Sequence, residues 1–219
     1  MPGLNHVDPR GAPLLLRLSG SVTMTKVSVG PMDNNAYLLQ ADGATVLIDA
    51  ANDDQRLLKI IGDGGLDTIV TTHRHGDHWQ ALPAVAAATS ARLVCGRPDL
   101  DDIAEGAGVA GLVPLWDGDR IELGAETLEV IGLVGHTPGS ITLAYAGGDT
   151  AHLFTGDSLF PGGPGKTNSP ADFTSLIDDL ETKLFGRFDD DTVVHPGHGD
   201  DTTLGAERPH LEEWRRRGW

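Results

Sequence analysis

The sequence predicts an α+β domain in which two β-sheets face each other and helices cover their outer surfaces. Three observations predict it. Two β-rich portions occur, each followed by helical patterning. The apolar segments are short and separated by Gly- and Asp-rich turns, with no internal repeat. The length of 219 residues and a hydrophobic content of 39% fit one domain with a sizeable core.

Residues 1–20 read as an extended arm, because Pro2, Gly3, Pro9, Gly11 and Pro13 oppose regular structure; a single domain is expected over residues 21–219. It opens with the strands TKVSVG, NAYLLQA and ATVLIDA. The last two meet at Asp42-Gly43, a hairpin signal because both positions tolerate positive φ. A helix at Asp53 to Gly62 follows, then the strand DTIVTTH and an Ala-rich helix ending near Thr89, with Pro83 suited to its first turn. Next come the strand ARLVCG, a short helix from about Asp99, and the strands GLVPLW, DRIELG, TLEVIGL, SITLAYA and TAHLFTG. The loop FPGGPGKTNSP leads into a long helix over about Pro170 to Gly186, where Phe173, Leu176, Ile177, Leu180 and Leu184 share one face. A last strand, DTVVHPG, and an amphipathic helix in ERPHLEEWRRRGW complete the chain.

Composition narrows the functions. The formal net charge of -16 repels phosphate backbones and anionic lipid, which argues against nucleic-acid and membrane partners; a small-molecule substrate is expected. No stretch approaches the roughly 20 apolar residues of a membrane span. The run PLLLRL is short, broken by Arg17 and without a basic flank, so a cytoplasmic protein is expected. Cys95 is the sole cysteine, which leaves nitrogen and oxygen as metal donors.

The donors concentrate in HRHGDH, from His73 to His78, directly after an apolar strand. In an extended loop, residues i and i+2 project to one side, so His73 and His75 can share a metal. Gly76 permits a bend that turns Asp77 and His78 toward a second position. The bland reading is a polar turn with Asp77 capping the next helix, but four donors in six residues exceed what capping needs. His136 in GLVGHTPGS, Asp157 in LFTGDSLF and His198 in VVHPGHGD sit in turns after further apolar strands. In layered α/β structures such strand ends gather on one rim.

The H-x-H-x-D-H motif followed by His136, Asp157 and His198 resembles the metallo-β-lactamase superfamily, and TGD with PGHG is similar to its glyoxalase II branch, over about Val22 to Gly199. The resemblance implies a four-layer αββα sandwich with metals at one edge of the paired sheets. It implies that His73, His75 and His136 hold a first metal, that Asp77, His78 and His198 hold a second, and that Asp157 bridges them. Two divalent ions are expected, zinc first, with iron or manganese chemically acceptable to a His/Asp set. The implied function is a metal-dependent hydrolase in which hydroxide from a dinuclear centre attacks a thioester or similar acyl compound, with Asp77 orienting it and taking its proton. The set lacks the cysteine ligand of some β-lactamases, which disfavours drug hydrolysis. In full-length glyoxalase II a C-terminal helical domain helps grip glutathione, whereas 21 residues follow His198 here, so the thiol carrier is open. The competing readings are a sulfur (persulfide) dioxygenase using one iron at His73, His136 and Asp157, and a lactonase. GPGKTN departs from the GCGRTDF pattern of the dioxygenases.

Around the motif, Thr72, Thr137, Gly135, Gly139 and Asp49 are candidates to support the ligands, with turn and loop roles as the alternative. Lys166 is the one cation of the loop Phe160 to Asn168 and is a candidate for a substrate carboxylate, or a solvated lysine. PMDNNAY is expected to form the opposite lip. His195 reads as a packed residue, and His6, His152 and His210 as surface positions.

Overall fold

The computed structural model describes residues 3–218; Met1 and Pro2 of the expected arm and Trp219 of the expected C-terminal segment lie outside the described residues. The first sheet runs β1 (Leu14–Arg17), β2 (Thr23–Val29), β3 (Asn34–Ala41), β4 (Ala44–Ile48), β5 (Thr68–Thr71), β6 (Arg92–Gly96) and β7 (Val113–Leu115), paired in that order. Its first four strands are antiparallel, and β4 to β7 are parallel. The parallel half needs crossovers, and α1 (Asp54–Ile61), α2 (Leu82–Thr89) and α3 (Leu100–Ala107) supply them. The second sheet is built from β8 (Arg120–Leu123), β9 (Glu126–Gly132), β10 (Ile141–Tyr145), β11 (His152–Gly156), β14 (Val193–Pro196) and β15 (Thr202–Thr203), in the order β15-β14-β11-β10-β9-β8. Between β11 and β14 lie the small hairpin β12 (Leu159–Phe160) and β13 (Gly163–Pro164), and α4 (Pro170–Asp179); α5 (Leu204–Glu207) and α6 (Leu211–Arg217) follow β15.

Three apolar clusters define four layers. Met24, Leu39, Ile48, Val70, Leu128, Leu143, Tyr145 and Phe154 pack between the sheets. Leu57, Ile61, Leu82, Val85 and Ile103 of α1 to α3 cover the outer face of the first sheet, against Leu38, Leu47 and Ile69. Phe173, Leu176 and Ile177 of α4, with Trp214 of α6, cover Ile131, Leu153 and Val194 of the second. This is the αββα sandwich, because each sheet has apolar residues on both faces and must bury both.

The expected elements are present, with instructive differences. Asp42 and Gly43 both have positive φ in the β3–β4 turn, 49° and 80°. Asp53 caps α1 by accepting the amide of Arg56, and Pro83 sits in the first turn of α2. Leu14–Arg17, assigned by sequence to the arm, pairs with β2 as an edge strand, since Leu16 packs on the inter-sheet core. The long helix at Pro170 turns π-helical over Leu180–Phe185, which lets the adjacent Leu184 and Phe185 both be buried. The strand GLVPLW closes the first sheet rather than opening the second, so the sheet boundary falls between β7 and β8.

Candidate metal centre

Four strand ends converge on one edge. HRHGDH follows β5 of the first sheet, while His136, Asp157 and His198 follow β9, β11 and β14 of the second. Because β14 is parallel to β11, and β9 and β11 are each antiparallel to β10, these three strands end on the same side. The amide of Ile141 donates to the carbonyl of Thr72 at 2.9 Å, joining the sheets beside the site. Buried Asp99 ties the loops together: Oδ2 accepts the Arg74 amide at 3.0 Å and the Thr137 hydroxyl at 2.5 Å, and Oδ1 accepts the Gly139 amide at 2.8 Å.

All seven expected donors come together. In the first cluster His73 Nε2, His75 Nδ1 and His136 Nε2 stand 3.1, 3.0 and 3.3 Å from one another. In the second, His78 Nε2 is 3.2 Å from His198 Nε2, and Asp77 Oδ2 is 3.6 Å from the former and 3.3 Å from the latter. Asp157 lies between them, with Oδ1 at 3.3 Å from His78, and Oδ2 at 3.4 Å from His198 and 3.8 Å from His136.

The donor chemistry fits metal. Three imidazole nitrogens on one tetrahedral zinc at about 2.0 to 2.1 Å would be about 3.3 to 3.4 Å apart, close to the first triangle. Hydrogen bonds do not account for it. His136 Nδ1–H donates to the Lys166 carbonyl at 2.6 Å, and His73 Nδ1–H to Thr72 Oγ1 at 3.0 Å, so in the neutral rings the facing Nε2 atoms carry only lone pairs. Asp157 Oδ1 is sealed from solvent and accepts no well-aligned hydrogen bond; in the metal-free protein a counter-charge stands at His78 Nε2, 3.3 Å away. A buried carboxylate oxygen without a donor is costly unless a cation satisfies it.

Four of the five histidines, all but His75, have an acceptor on the nitrogen that faces away from the cluster. Thr72 Oγ1 passes its own hydrogen to Asp49 Oδ2 at 2.8 Å, and the same oxygen takes His78 Nδ1–H at 2.8 Å. Asp49, in the left-handed region at φ 57°, therefore serves two histidines, one in each cluster. His198 Nδ1–H donates to the carbonyl of Met32 at 2.9 Å. Asn34 Nδ2 reaches Asp77 Oδ2 at 2.9 Å. Thus the lip PMDNNAY touches the site through Met32 and Asn34.

Protonation follows from the crowding. Burial, with the neighbouring His78, holds His73 well below the ordinary histidine range, and burial lowers His75 and His136. Burial also opposes charge on His78 and His198, but the carboxylates win: Asp49 and Asp157 raise His78 to about 10, and Asp157 and Asp77 raise His198 to about 10. The hydrogen bond from His198 keeps the Asp77 carboxyl well below its usual range. Burial pushes the Cys95 thiol up to about 12, so it stays neutral.

Some expectations change. Thr72 and Asp49 do support ligands, but Thr137 reaches Asp99 instead. Gly135 and Gly139 do not crowd the donors; a Cβ there would meet Asp172 and Leu176, or Asp99. Gly197 does crowd them, since its Cβ would lie 2.3 Å from Asp157 Oδ1 and 2.6 Å from His78 Cε1. The Lys166 side chain is exposed, while its carbonyl bears on His136. His195 is packed, as read, with Nδ1 on Asp201 at 2.7 Å. His152 is buried and stacked on His195, because β11 and β14 are paired there. His6 meets Asp200 at 2.5 Å, and His210 is exposed. Asn34, Asp99 and Gly197 were missed; the position of Gly197, immediately before a motif histidine, was the available signal.

Residues 29–201 match the model of the metallo-beta-lactamase superfamily. A hydroxyacylglutathione hydrolase of Fuscovulum blasticum is 35% identical over 176 residues, covering 76% of this chain and 62% of its own length. The chain thus spans less than two thirds of that relative. Hydroxyacylglutathione hydrolase GloC of Haemophilus influenzae is 31% identical over 214 residues, covering 83% of this chain and 93% of its own. The crystal structure of TTHA1623 in a di-iron-bound form is 33% identical, with a TM-score of 0.70 over 84% of this chain and 96% of that one. No described helix is long and apolar enough to cross a membrane. With most of the layered region matched and both relatives pointing to one branch, the chain belongs to the metallo-beta-lactamase superfamily and to its glyoxalase II-like branch.

Proposed function

We propose that this chain is a metal-dependent hydrolase of thioesters or similar acyl compounds. The observation that carries the reading is the pair of three-donor clusters joined by Asp157, with the lone pairs of His73 and His136 facing inward beside the Asp157 carboxylate. His73, His75 and His136 would hold one divalent ion, Asp77, His78 and His198 the other, and Asp157 both. Such a pair supplies nucleophilic hydroxide near neutral pH and polarises the acyl carbonyl. Zinc is the first expectation, and the di-iron-bound form of TTHA1623 keeps iron in view.

The protein's own groups orient the reaction. Asp77 is ionised, and Asn34 fixes its Oδ2, so its carboxylate can align the attacking oxygen and receive its proton. A departing thiolate has a conjugate acid of pKa about 8.5 and needs no strong general acid. The names of the two relatives support the acyl-thioester class. At the mouth, the Phe160 ring lies 6.3 Å from that of His198, and Met32 is 54% exposed. A cavity of about 260 Å³ is lined by Phe160, Pro164, Lys166 and Arg217, and here Lys166 would meet an anionic substrate group. The substrate is a small molecule, and a cytoplasmic setting suits the single buried thiol.

The test is turnover by zinc-loaded protein of S-2-hydroxyacyl thioesters of glutathione and of an uncharged thiol, beside lactones. Release of free thiol, lost in His75→Ala, is expected. Zinc-loaded protein that leaves every thioester intact, with iron-loaded protein consuming oxygen on a persulfide, would overturn the reading.

A further inference from the structure

A set of polar and charged groups lies buried between the sheets outside both clusters. The side chains of Lys26, Asp201 and His195 are fully buried. Lys26 Nζ is 2.7 Å from Asp201 Oδ1 and donates to the Gly199 carbonyl at 2.8 Å. Asp201 Oδ2 accepts from His195 Nδ1 at 2.7 Å and from Asn5 Nδ2 at 2.9 Å. Alternation along β2 sets Lys26 between Met24 and Ser28, on the face that an apolar side chain would ordinarily fill. Stability does not demand this arrangement, because desolvating two ions offsets their attraction and an apolar replacement is often as stable.

The network converges instead on the turn that carries His198. The Pro196 carbonyl accepts from Tyr37 Oη at 2.6 Å and Asn35 Nδ2 at 3.0 Å, and the Gly197 carbonyl from the Asn35 amide at 2.7 Å. The Gly199 carbonyl takes both Lys26 Nζ and Asn35 Nδ2, the latter at 2.9 Å. Carbonyls on both sides of His198 are therefore held from β2 and β3. The first cluster is anchored elsewhere, through Thr72 with Asp49 and through the Lys166 carbonyl.

Resting on the dinuclear reading above, we infer that Lys26 and Asp201 are positioning residues for the second metal position, fixing the turn that aims His198 while leaving the first position alone. A charged pair sets one geometry for that turn where an apolar pair would only fill space.

The experiment is calorimetric titration of metal-free protein with zinc, the two steps assigned with His75→Ala and His198→Ala. Lys26→Met and the double variant Lys26→Met/Asp201→Asn are compared with the parent; the double variant leaves no unpaired buried charge if the single one fails to fold. The expected result is a second-cluster Kd raised about 10- to 100-fold, with the first within about threefold and the melting transition still cooperative. An unchanged second step, equal weakening of both steps, or a double variant that does not fold would overturn the positioning role. A parent protein that takes up no zinc at either cluster would instead overturn the dinuclear reading, and this inference with it.

Discussion

Asp49 is the residue on which the two clusters depend together. It orients His78 directly and His73 through Thr72, so Asp49→Ala is expected to weaken both metal positions about 10- to 100-fold, measured by zinc titration. His75→Ala removes one corner of the first triangle, and a rate loss of several orders of magnitude is expected, with kcat falling more than KM rises. Protonation gives a third outcome. His78 and His198 are raised to about 10 in the metal-free protein, against an ordinary value of 6.5. Their raised values stabilise the metal-free fold fully below about pH 6.5, and this contribution is lost as pH rises through about 10. Metal must displace those protons, so zinc affinity should climb from pH 6 toward pH 9 while the melting temperature of metal-free protein falls; paired titrations and melts check both.

Elements place these residues through turns, and single atoms in the turns decide whether the donors meet. Gly197 lies against Asp157 and His78, so Gly197→Ala must displace a donor. A misplacement of about 1 Å can cost about a hundredfold in rate, and that loss is expected while α-helical circular dichroism is kept. Ser169 is a contrasting case. It caps α4 by accepting the Asp172 amide at 3.1 Å and makes no hydrogen bond to a donor, so Ser169→Ala should cost about 1 kcal/mol in denaturant unfolding and lower turnover far less than Gly197→Ala. Period and turn chemistry made α1, α2, α4 and the β3–β4 hairpin legible in the sequence, because their own residues determine them. The edge strand Leu14–Arg17 and the hairpin β12–β13 were not, since each is fixed by a partner strand or by packing that a linear pattern does not show.

At the scale of the whole molecule, the layered fold brings one loop of the first sheet to three of the second. The seven donors were legible because four stand within six residues, the other three each follow an apolar strand, and together they match the motif of a known superfamily. Their supports were not: Asn34, Asp99 and Lys26 act across 43, 25 and 173 positions, on Asp77, Arg74 and Gly199. Strand register and crossover geometry, rather than local pattern, decide such contacts. We read the two clusters joined by Asp157 as one dinuclear hydrolytic centre. Elemental analysis of metal per chain, on aerobically and anaerobically purified protein alongside thioester turnover, tests it most directly. Two divalent ions per chain, with turnover proportional to their occupancy, is the expected result; a single iron per chain, with oxygen uptake on a persulfide and no thioester cleavage, would contradict it.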